Sequence, residues 1–192
     1  MTVTERKRLQ RSAAVAARRA IEPEMRCRWN YAIAERVLAL PEFQNAQFIL
    51  SYCAMRGEVD PLEIDDAARC MGKEVAYPQC CADGCMIAAI PENERALQRG
   101  VMGMMEPIPG HYDIVPPERL DLVLTPCAAF DSRCMRIGLG GGYYDRYLKL
   151  CTKAKTVALA YEVQRVPLAA QEEHDVAMDA VASDAALYRA KR

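Results

Sequence analysis

The chain alternates between segments in which apolar residues recur every three or four positions and short runs that are apolar throughout. The helical spacing predicts helices at residues 4–21, 23–40 and 61–71, with Pro23 tolerated in a first turn and Pro41 ending the second helix. The apolar runs predict buried strands at residues 47–53, 73–78 and 120–125. Because helices and strands alternate, the pattern indicates βαβ units and a parallel sheet.

The remaining segments are less regular. Residues 86–90 predict another strand, with an antiparallel orientation as one alternative. Residues 91–117 predict a loop, because they hold many polar residues, prolines and glycines. Residues 156–161 should form the last central strand, and residues 166–184 a largely extended tail. With 192 residues, the sequence predicts one α/β domain over residues 1–192, large enough to bury about 70% of its unfolded surface.

Charge excludes some classes of function. The formal net charge is −1, which argues against a polybasic surface for nucleic acid or membrane, although residues 1–36 are basic and residues 172–184 acidic. No apolar run approaches the roughly 18 residues that span a bilayer, and no hydrophobic core of a signal peptide is found. We therefore expect a cytoplasmic protein.

The nine cysteines are predicted to be reduced thiols rather than disulfides, because their number is odd and the sequence shows no export signal. Cys80, Cys81 and Cys85 form the tight cluster. A zinc site needs four ligands, and neither His111 nor His174 has a matching partner at ligand spacing. Most of the cysteines are therefore interpreted as small buried hydrophobic residues.

The most specific segment covers residues 136–146 and reads Arg-Ile-Gly-Leu-Gly-Gly-Gly-Tyr-Tyr-Asp-Arg. Glycine at this density is kept where the backbone needs positive φ or where a ligand touches bare backbone. Downstream, a helix is predicted by the spacing of Tyr144, Tyr147, Leu148 and Cys151. A strand, a glycine loop and a helix N-terminus in succession predict a phosphate cradle, although a glycine turn with no ligand remains an alternative.

The segment is neither of the common nucleotide-binding motifs. Tyr143 stands where G-x-G-x-x-G needs its last glycine, and no Gly-Lys-Ser/Thr follows. It resembles the signature of the 5-formyltetrahydrofolate cyclo-ligase family. Matching anchors run through nearly the whole chain: Lys7, Arg11, Glu58, Pro78, Glu106, Pro107, Pro126, Phe130, Asp131, His174, Asp175 and Asp179. Two positions depart from the family pattern, Cys134 in place of a glycine and Gln79 in place of a basic residue.

The resemblance implies a mostly parallel sheet flanked by helices, of the sugar-phosphate isomerase or CoA-transferase-like type. It also implies an activity, the ATP-dependent cyclisation of 5-formyltetrahydrofolate to 5,10-methenyltetrahydrofolate through an iminium phosphate, with ADP and phosphate as products and Mg²⁺ as cofactor. The expected partner is a small molecule, 5-formyltetrahydrofolate with or without a polyglutamate tail. We expect no nucleic acid and no membrane partner, and a monomer or homodimer.

The resemblance assigns site residues by their positions in the motif. The implied ATP-binding residues are Lys7, Arg11, Arg136, Ile137, Gly138, Leu139, Gly140, Gly141, Gly142, Tyr143 and Tyr144. The implied catalytic residues are Arg136, Tyr143 and Tyr144. The implied substrate-binding residues are Cys53, Glu58, Glu106 and Tyr143. The implied metal ligands are Asp145 and Asp175.

Each assignment has a plainer alternative. Lys7 and Arg11 are four residues apart and share a helix face, which is also the pattern of a solvated surface. Glu58 is placed to accept two adjacent donors of a pterin, but it could be a surface carboxylate, although Asp60 is better placed to cap the next helix. Asp145 could simply cap its own helix, and Asp175 could simply be a solvated carboxylate.

Two other classes of function stay open on the sequence alone. An isomerase or CoA-transferase type of enzyme would use the glycine loop on a phosphate without consuming ATP. A non-catalytic folate-binding or nucleotide-binding module would keep the fold without turnover, although the intact charged residues argue against a decayed site.

Overall fold

A computed structural model describes residues 1–55, 57–81, 84–93, 95–100, 103–173 and 175–191, so His174 lies outside the described residues. The α-helices in these ranges are α1 (Val3–Arg19), α2 (Pro23–Leu38), α3 (Pro41–Asn45), α4 (Leu62–Cys70) and α5 (Tyr143–Tyr147). Short 3-10 helices are at Pro117–Arg119 and Glu162–Gln164. None of the helices described is long and apolar enough to cross a membrane.

The strands are mostly short. They are β1 (Phe48–Leu50), β2 (Glu74–Cys80), β3 (Met86–Pro91), β4 (Leu97–Arg99), β5 (Met105–Pro107), β6 (Tyr112–Val115), β7 (Leu122–Pro126), β8 (Ala129–Phe130), β9 (Arg136–Ile137), β10 (Lys155–Leu159), β11 (Ala180–Ala182) and β12 (Leu187–Arg189). Four of them form two small antiparallel ribbons, β4 with β5 and β8 with β9.

The other eight strands form one sheet in the order β12-β11-β10-β7-β1-β2-β3-β6. The five central strands from β11 to β2 are mutually parallel, and antiparallel strands extend both edges. This architecture confirms the predicted α/β fold with a mostly parallel sheet flanked by helices. It also confirms β3 as an antiparallel neighbour of β2.

Alternate residues of the central strands enter two different cores, because side chains along a strand point to opposite faces. Leu122 and Leu124 of β7 pack with Ile33 and Phe43 on the face covered by α2 and α3. Val123, between them, belongs to the core on the opposite face. Both faces are therefore buried, as a parallel sheet requires.

Three predictions of secondary structure are wrong. The predicted loop at residues 91–117 contains β4, β5 and β6, and most of its prolines and glycines lie outside these short strands. β6 forms an edge of the main sheet. The strand at residues 156–161 is not the last central one, because β11 pairs in parallel beside it. Pro41 does not simply end α2, which stops at Leu38, but opens α3 at its first turn.

A line of residues along α1 faces the interior. The helix begins with a capping box between Thr2 and Glu5. Lys7, Arg11 and Arg18 fall within a narrow arc because the spacings of four and seven residues return to nearly the same direction on a 3.6-residue helix. Arg18 is 1% exposed. The basic helix is therefore not a simple solvated surface, since its inner line of cations is turned towards the sheet.

The loop before β9 is fixed by one buried carboxylate. Oδ1 of Asp131 accepts hydrogen bonds from the backbone N–H groups of Arg133 at 2.9 Å and Met135 at 3.2 Å, and Oδ2 accepts one from Ala169 at 3.0 Å. Within this loop Cys134 has a φ of +65°, in the left-handed region that favours glycine. The positive φ also explains why the family pattern has a glycine at this position, because glycine adopts a left-handed backbone without strain.

We predict that Cys134→Val destabilises the protein by about 1–3 kcal/mol more than Cys151→Val. Both cysteines are buried in the same core cluster, but Cys134 is the one with positive φ, where a β-branched side chain is strongly disfavoured. The free energy of unfolding in urea measures the difference. Equal losses in the two variants would show that the left-handed backbone at Cys134 carries no strain.

Candidate active site

A cavity of about 400 Å³ opens at the carboxyl ends of β1, β2 and β7, where open parallel sheets bind ligands. All the residues implied in ATP binding line it: Lys7, Arg11, Arg136, Ile137, Gly138, Leu139, Gly140, Gly141, Gly142, Tyr143 and Tyr144. Cys53, Glu58, Asp145 and Asp175 line the same cavity. The fold thus brings together residues that are widely separated in sequence.

Helix α1 supplies two cations to one wall. Nζ of Lys7 lies 2.8 Å from Glu172 and 2.5 Å from Asp175. Burial alone would lower the pKa of Lys7, but hydrogen bonds to the two carboxylates outweigh it and raise the pKa, so Lys7 stays charged. Nε of Arg11 donates to the carbonyl of Gly138 at 2.7 Å, which leaves its two terminal nitrogens beside the glycine loop.

The glycine loop exposes backbone to the cavity. None of the N–H groups at positions 138–142 donates to an acceptor in the described part of the chain. A Cβ on Gly138 would lie 2.9 Å from the Arg136 guanidinium, and Gly140 has a φ of +110° with Arg11 over it. Larger residues would therefore either displace these cations or strain the backbone.

The helix after the loop is shorter than the sequence predicted. It ends at Tyr147, and the positions that continued the helical spacing, Leu148 and Cys151, follow in turns but are still buried in the core. A helix of one turn has a small dipole. Anion binding at this loop would therefore depend on the free N–H groups and the neighbouring cations more than on the helix.

Arg136 on β9 is the most buried cation of the loop, with a side chain only 2% exposed. Its Nη2 lies 3.0 Å from Oδ1 of Asp145, and its guanidinium carbon lies 5.5 Å from the centre of the Tyr144 ring. Burial raises the pKa of the Tyr144 hydroxyl well above its usual value, so this group is neutral and can donate. Neither that hydroxyl nor Nε of Arg136 has a hydrogen-bond partner among the residues described.

Asp145 and Asp175 are each paired with a cation, Arg136 and Lys7 respectively. Across the described ranges, the structure holds no group of three or more His, Cys, Asp or Glu side chains suited to a metal. Mg²⁺ in phosphoryl-transfer sites is commonly bound by one or two carboxylates together with substrate phosphates. The two carboxylates fit Mg²⁺ only in such a shared site.

Glu58 lines the cavity and is 5% exposed. Its Oε2 accepts a hydrogen bond from the backbone N–H of Met55 at 3.0 Å, and Oε1 lies 3.8 Å from Nη1 of Arg18. The plain alternative of a surface carboxylate is therefore wrong. Asp60 takes the capping role instead, since its Oδ1 accepts from the N–H of Leu62 at 3.2 Å.

Glu106 is not among the residues that line the cavity. It is buried on β5, and Oε2 lies 3.4 Å from the backbone N of Cys80, which does line it. Burial raises the pKa of the Glu106 carboxyl. Cys53 and Cys80 are both poor nucleophiles, because burial raises the pKa of each thiol to about 12.

A second cavity, of about 590 Å³, shares Tyr52 and Cys53 with the first. Its buried carboxyl is Asp65, which accepts a hydrogen bond from the hydroxyl of Tyr77 at 2.8 Å. Burial raises the pKa of Asp65 to about 7. Cys53 alone among the residues implied by the family motif lines this cavity.

Sequence reasoning missed three charged residues at the site, since Arg8 and Glu172 line the cavity and Arg18 contacts Glu58. Arg18 lies behind Glu58, and Glu172 holds Lys7. Arg18 had a usable signal, since it continues the helix face of Lys7 and Arg11. Glu172 had none, because its segment has no periodicity and reaches α1 only through the tertiary fold.

These features are those of an α/β protein with a cavity lined by cations and a glycine loop at the carboxyl ends of its strands. Residues 3–184 match the model of the 5-formyltetrahydrofolate cyclo-ligase family. The chain therefore belongs to this family of ligases.

Similar proteins cover almost the same length. The 5-formyltetrahydrofolate cyclo-ligase of Escherichia coli K12 is 29% identical over 177 residues, which are 89% of this chain and 96% of the relative. The mouse 5-formyltetrahydrofolate cyclo-ligase is 30% identical over 193 residues, or 94% and 95% of the two chains. The NMR structure of Aquifex aeolicus 5,10-methenyltetrahydrofolate synthetase is 27% identical, with a TM-score of 0.84 over 97% of this chain and 93% of that one.

Proposed function

We propose that this protein converts 5-formyltetrahydrofolate to 5,10-methenyltetrahydrofolate and consumes ATP in doing so. One observation carries the proposal. The cations Lys7, Arg11 and Arg136 and the open N–H groups of the glycine loop line the same cavity as Glu58. A phosphate site and a carboxylate for a pterin are therefore adjacent, as the transfer of phosphate from a nucleotide to a folate requires.

The chemistry needs activation because an amide-like formyl oxygen is a poor leaving group. In the proposed sequence the formyl oxygen attacks the γ-phosphorus of ATP, the bond to ADP breaks, and an iminium phosphate forms. N10 of the folate then attacks the formyl carbon, the ring closes, and phosphate leaves with the bonding electrons while N10 loses its proton. Such a reaction asks the protein mainly for positioning and for neutralisation of charge.

The residues of the loop suit these tasks. Arg136, held by Asp145, presents its remaining N–H donors to the transferred phosphoryl group, and Lys7 and Arg11 approach from α1. Tyr143 and Tyr144 flank the same space, and the neutral hydroxyl of Tyr144 can donate to an oxygen of the substrate. No protein nucleophile is needed.

Asp145 and Asp175 are the proposed protein ligands of Mg²⁺, and phosphate oxygens of the nucleotide complete the set. When bound, the ion neutralises charge on the phosphates during transfer. On this proposal the ion pairs with Arg136 and Lys7 hold the carboxylates at the cavity.

Glu58 is the proposed pterin ligand. A pterin offers an amino group and a ring N–H side by side, and one carboxylate can accept both. Cys53 and Tyr143 line the adjacent wall. Glu106 does not line the cavity, and its proposed role is to support the wall of the folate site through its contact with the backbone N–H of Cys80.

A cytoplasmic location, a polyglutamylated substrate and a monomer or homodimer remain predictions.

We predict that methenyltetrahydrofolate forms only when ATP and a divalent metal are both present, because the phosphate site serves activation of the formyl oxygen. The absorbance of the methenyl product, followed with ADP release, measures turnover. Controls omit ATP, the metal or the formylfolate one at a time. Equal turnover without ATP would contradict the proposal and favour an isomerase-like use of the loop, whereas binding with no turnover under any condition would favour a non-catalytic module.

We predict that Glu58→Gln raises the KM for 5-formyltetrahydrofolate by about 5-fold to 150-fold, equivalent to roughly 1–3 kcal/mol, because an amide accepts from only one of the two pterin donors. The KM for ATP should stay nearly constant. Steady-state kinetics with each substrate varied in turn give both values. An unchanged folate KM, or an equal rise in both constants, would place the pterin elsewhere.

A further inference from the structure

Arg146 connects the glycine loop to a carbonyl that lies 62 positions earlier in the chain. Its Nη2 donates to the carbonyl oxygen of Gly141 in the loop at 3.0 Å and to that of Gly84, between β2 and β3, at 2.7 Å. Gly141 and Gly142 line the candidate cavity, whereas Arg146 is exposed and is not among the described residues that line it. Arg146 therefore holds the loop from outside the cavity.

The same side chain lies so close to its neighbours that glycine is needed on both sides of it. A Cβ on Gly142 would lie 2.7 Å from Nη1 of Arg146, and one on Gly84 would lie 3.3 Å from Nη2. The guanidinium carbon also lies 5.3 Å from the centre of the Tyr143 ring, within the range of a cation–π contact. The position of the guanidinium is thus defined by two backbone carbonyls, two glycines and one aromatic ring.

The hydrogen bond to Gly141 orients one peptide group of the loop. In a trans peptide the C=O of one residue and the N–H of the next point in opposite directions. Because the carbonyl of Gly141 points to Arg146 outside the cavity, the N–H of Gly142 points to the side that lines the cavity. That N–H donates to no acceptor in the described part of the chain. It is therefore open to an anion in the cavity.

This peptide group needs an external constraint because glycine stands on both sides of it. Glycine adopts positive and negative φ about equally well, and Gly142 has a φ of +67°. If the peptide between Gly141 and Gly142 turned over, a carbonyl oxygen would face the anion in place of an N–H donor. Loops that bind phosphate do so with N–H groups that converge on it. A donor on the outer side of the loop stabilises the orientation that suits phosphate.

We propose that Arg146 is a positioning residue that keeps the N–H of Gly142 directed at the nucleotide phosphates. The inference rests on the proposed phosphate site and deepens it, since it makes nucleotide affinity depend on the connection between β2 and β3 through Gly84. Arg146 acts through the loop backbone and needs no contact with the nucleotide.

Arg146→Met tests the inference because it removes the donors and keeps the unbranched stem. The dissociation constant for ATP with Mg²⁺ should rise about 10-fold or more, since a hydrogen bond to a charged group is among the stronger ones. The dissociation constant for 5-formyltetrahydrofolate should change little. Calorimetric titration with each ligand alone gives both values without turnover. Lys149→Met, which removes an exposed cation just beyond α5, is the control for charge and should bind both ligands normally.

Gly84 tests the anchor from a position outside the lining of the cavity. Gly84→Ala places a methyl group 3.3 Å from Nη2, so the guanidinium has to shift and the dissociation constant for ATP should rise. Gly72→Ala is the matched control, because its φ of +72° is close to the +83° of Gly84 and no described atom lies within 4 Å of the added carbon. In the Arg146→Met background, Gly84→Ala should weaken ATP binding no further, because the two act through one contact.

The amide of Gly142 gives a direct readout. In ¹⁵N-labelled protein its resonance should shift when ATP and Mg²⁺ are added, and Arg146→Met should abolish most of that shift. Unchanged ATP affinity and an unchanged Gly142 shift in Arg146→Met, with a lower melting temperature, would show that Arg146 only stabilises the fold.

The remaining outcomes separate this inference from the proposed function. Normal ATP binding by the unaltered protein and by Gly84→Ala would overturn the inference even if Arg146→Met does not fold, and so would equal weakening by Gly72→Ala. In either case the phosphate site itself would stand. An unaltered protein that binds no ATP would overturn both the inference and the proposed function.

Discussion

Charge removed from water must be paired, and in this protein three such pairs lie at one cavity. Arg136 is held against Asp145, Lys7 against Asp175, and Arg18 beside Glu58. Such pairs add little to stability compared with apolar packing of the same volume, so their position calls for a functional reason. The reason we infer is that each pair leaves hydrogen-bonding capacity directed at a ligand.

Much of this arrangement could be predicted from the sequence because its signals are local. The glycine-rich segment specifies its own backbone, and the spacing of Lys7 and Arg11 on α1 specifies a shared face. The alternation of helices with apolar runs was sufficient for the mostly parallel sheet. All of the implied site residues except Glu106 line one cavity, in agreement with these local signals.

The parts that could not be predicted depend on contacts distant in sequence. β6 is short and largely exposed, and its strand conformation depends on pairing with β3, which is distant in sequence. Glu172 meets Lys7 although the two are 165 positions apart. Glu106 illustrates the limit of motif reasoning, since a residue implied in substrate binding lies behind Cys80 rather than on the cavity wall.

The proposed reaction depends on Arg136 acting on the transferred phosphoryl group, and truncation of the Arg136 side chain tests this most directly. Arg136→Ala should lower kcat by about 100-fold or more with saturating ATP, since preorganised donors of this kind contribute that much to charge stabilisation. The KM for 5-formyltetrahydrofolate should change little, and Lys149→Ala, which removes an exposed cation just beyond α5, should turn over normally. Near-normal kcat in Arg136→Ala would contradict the account and leave Arg136 a structural partner of Asp145.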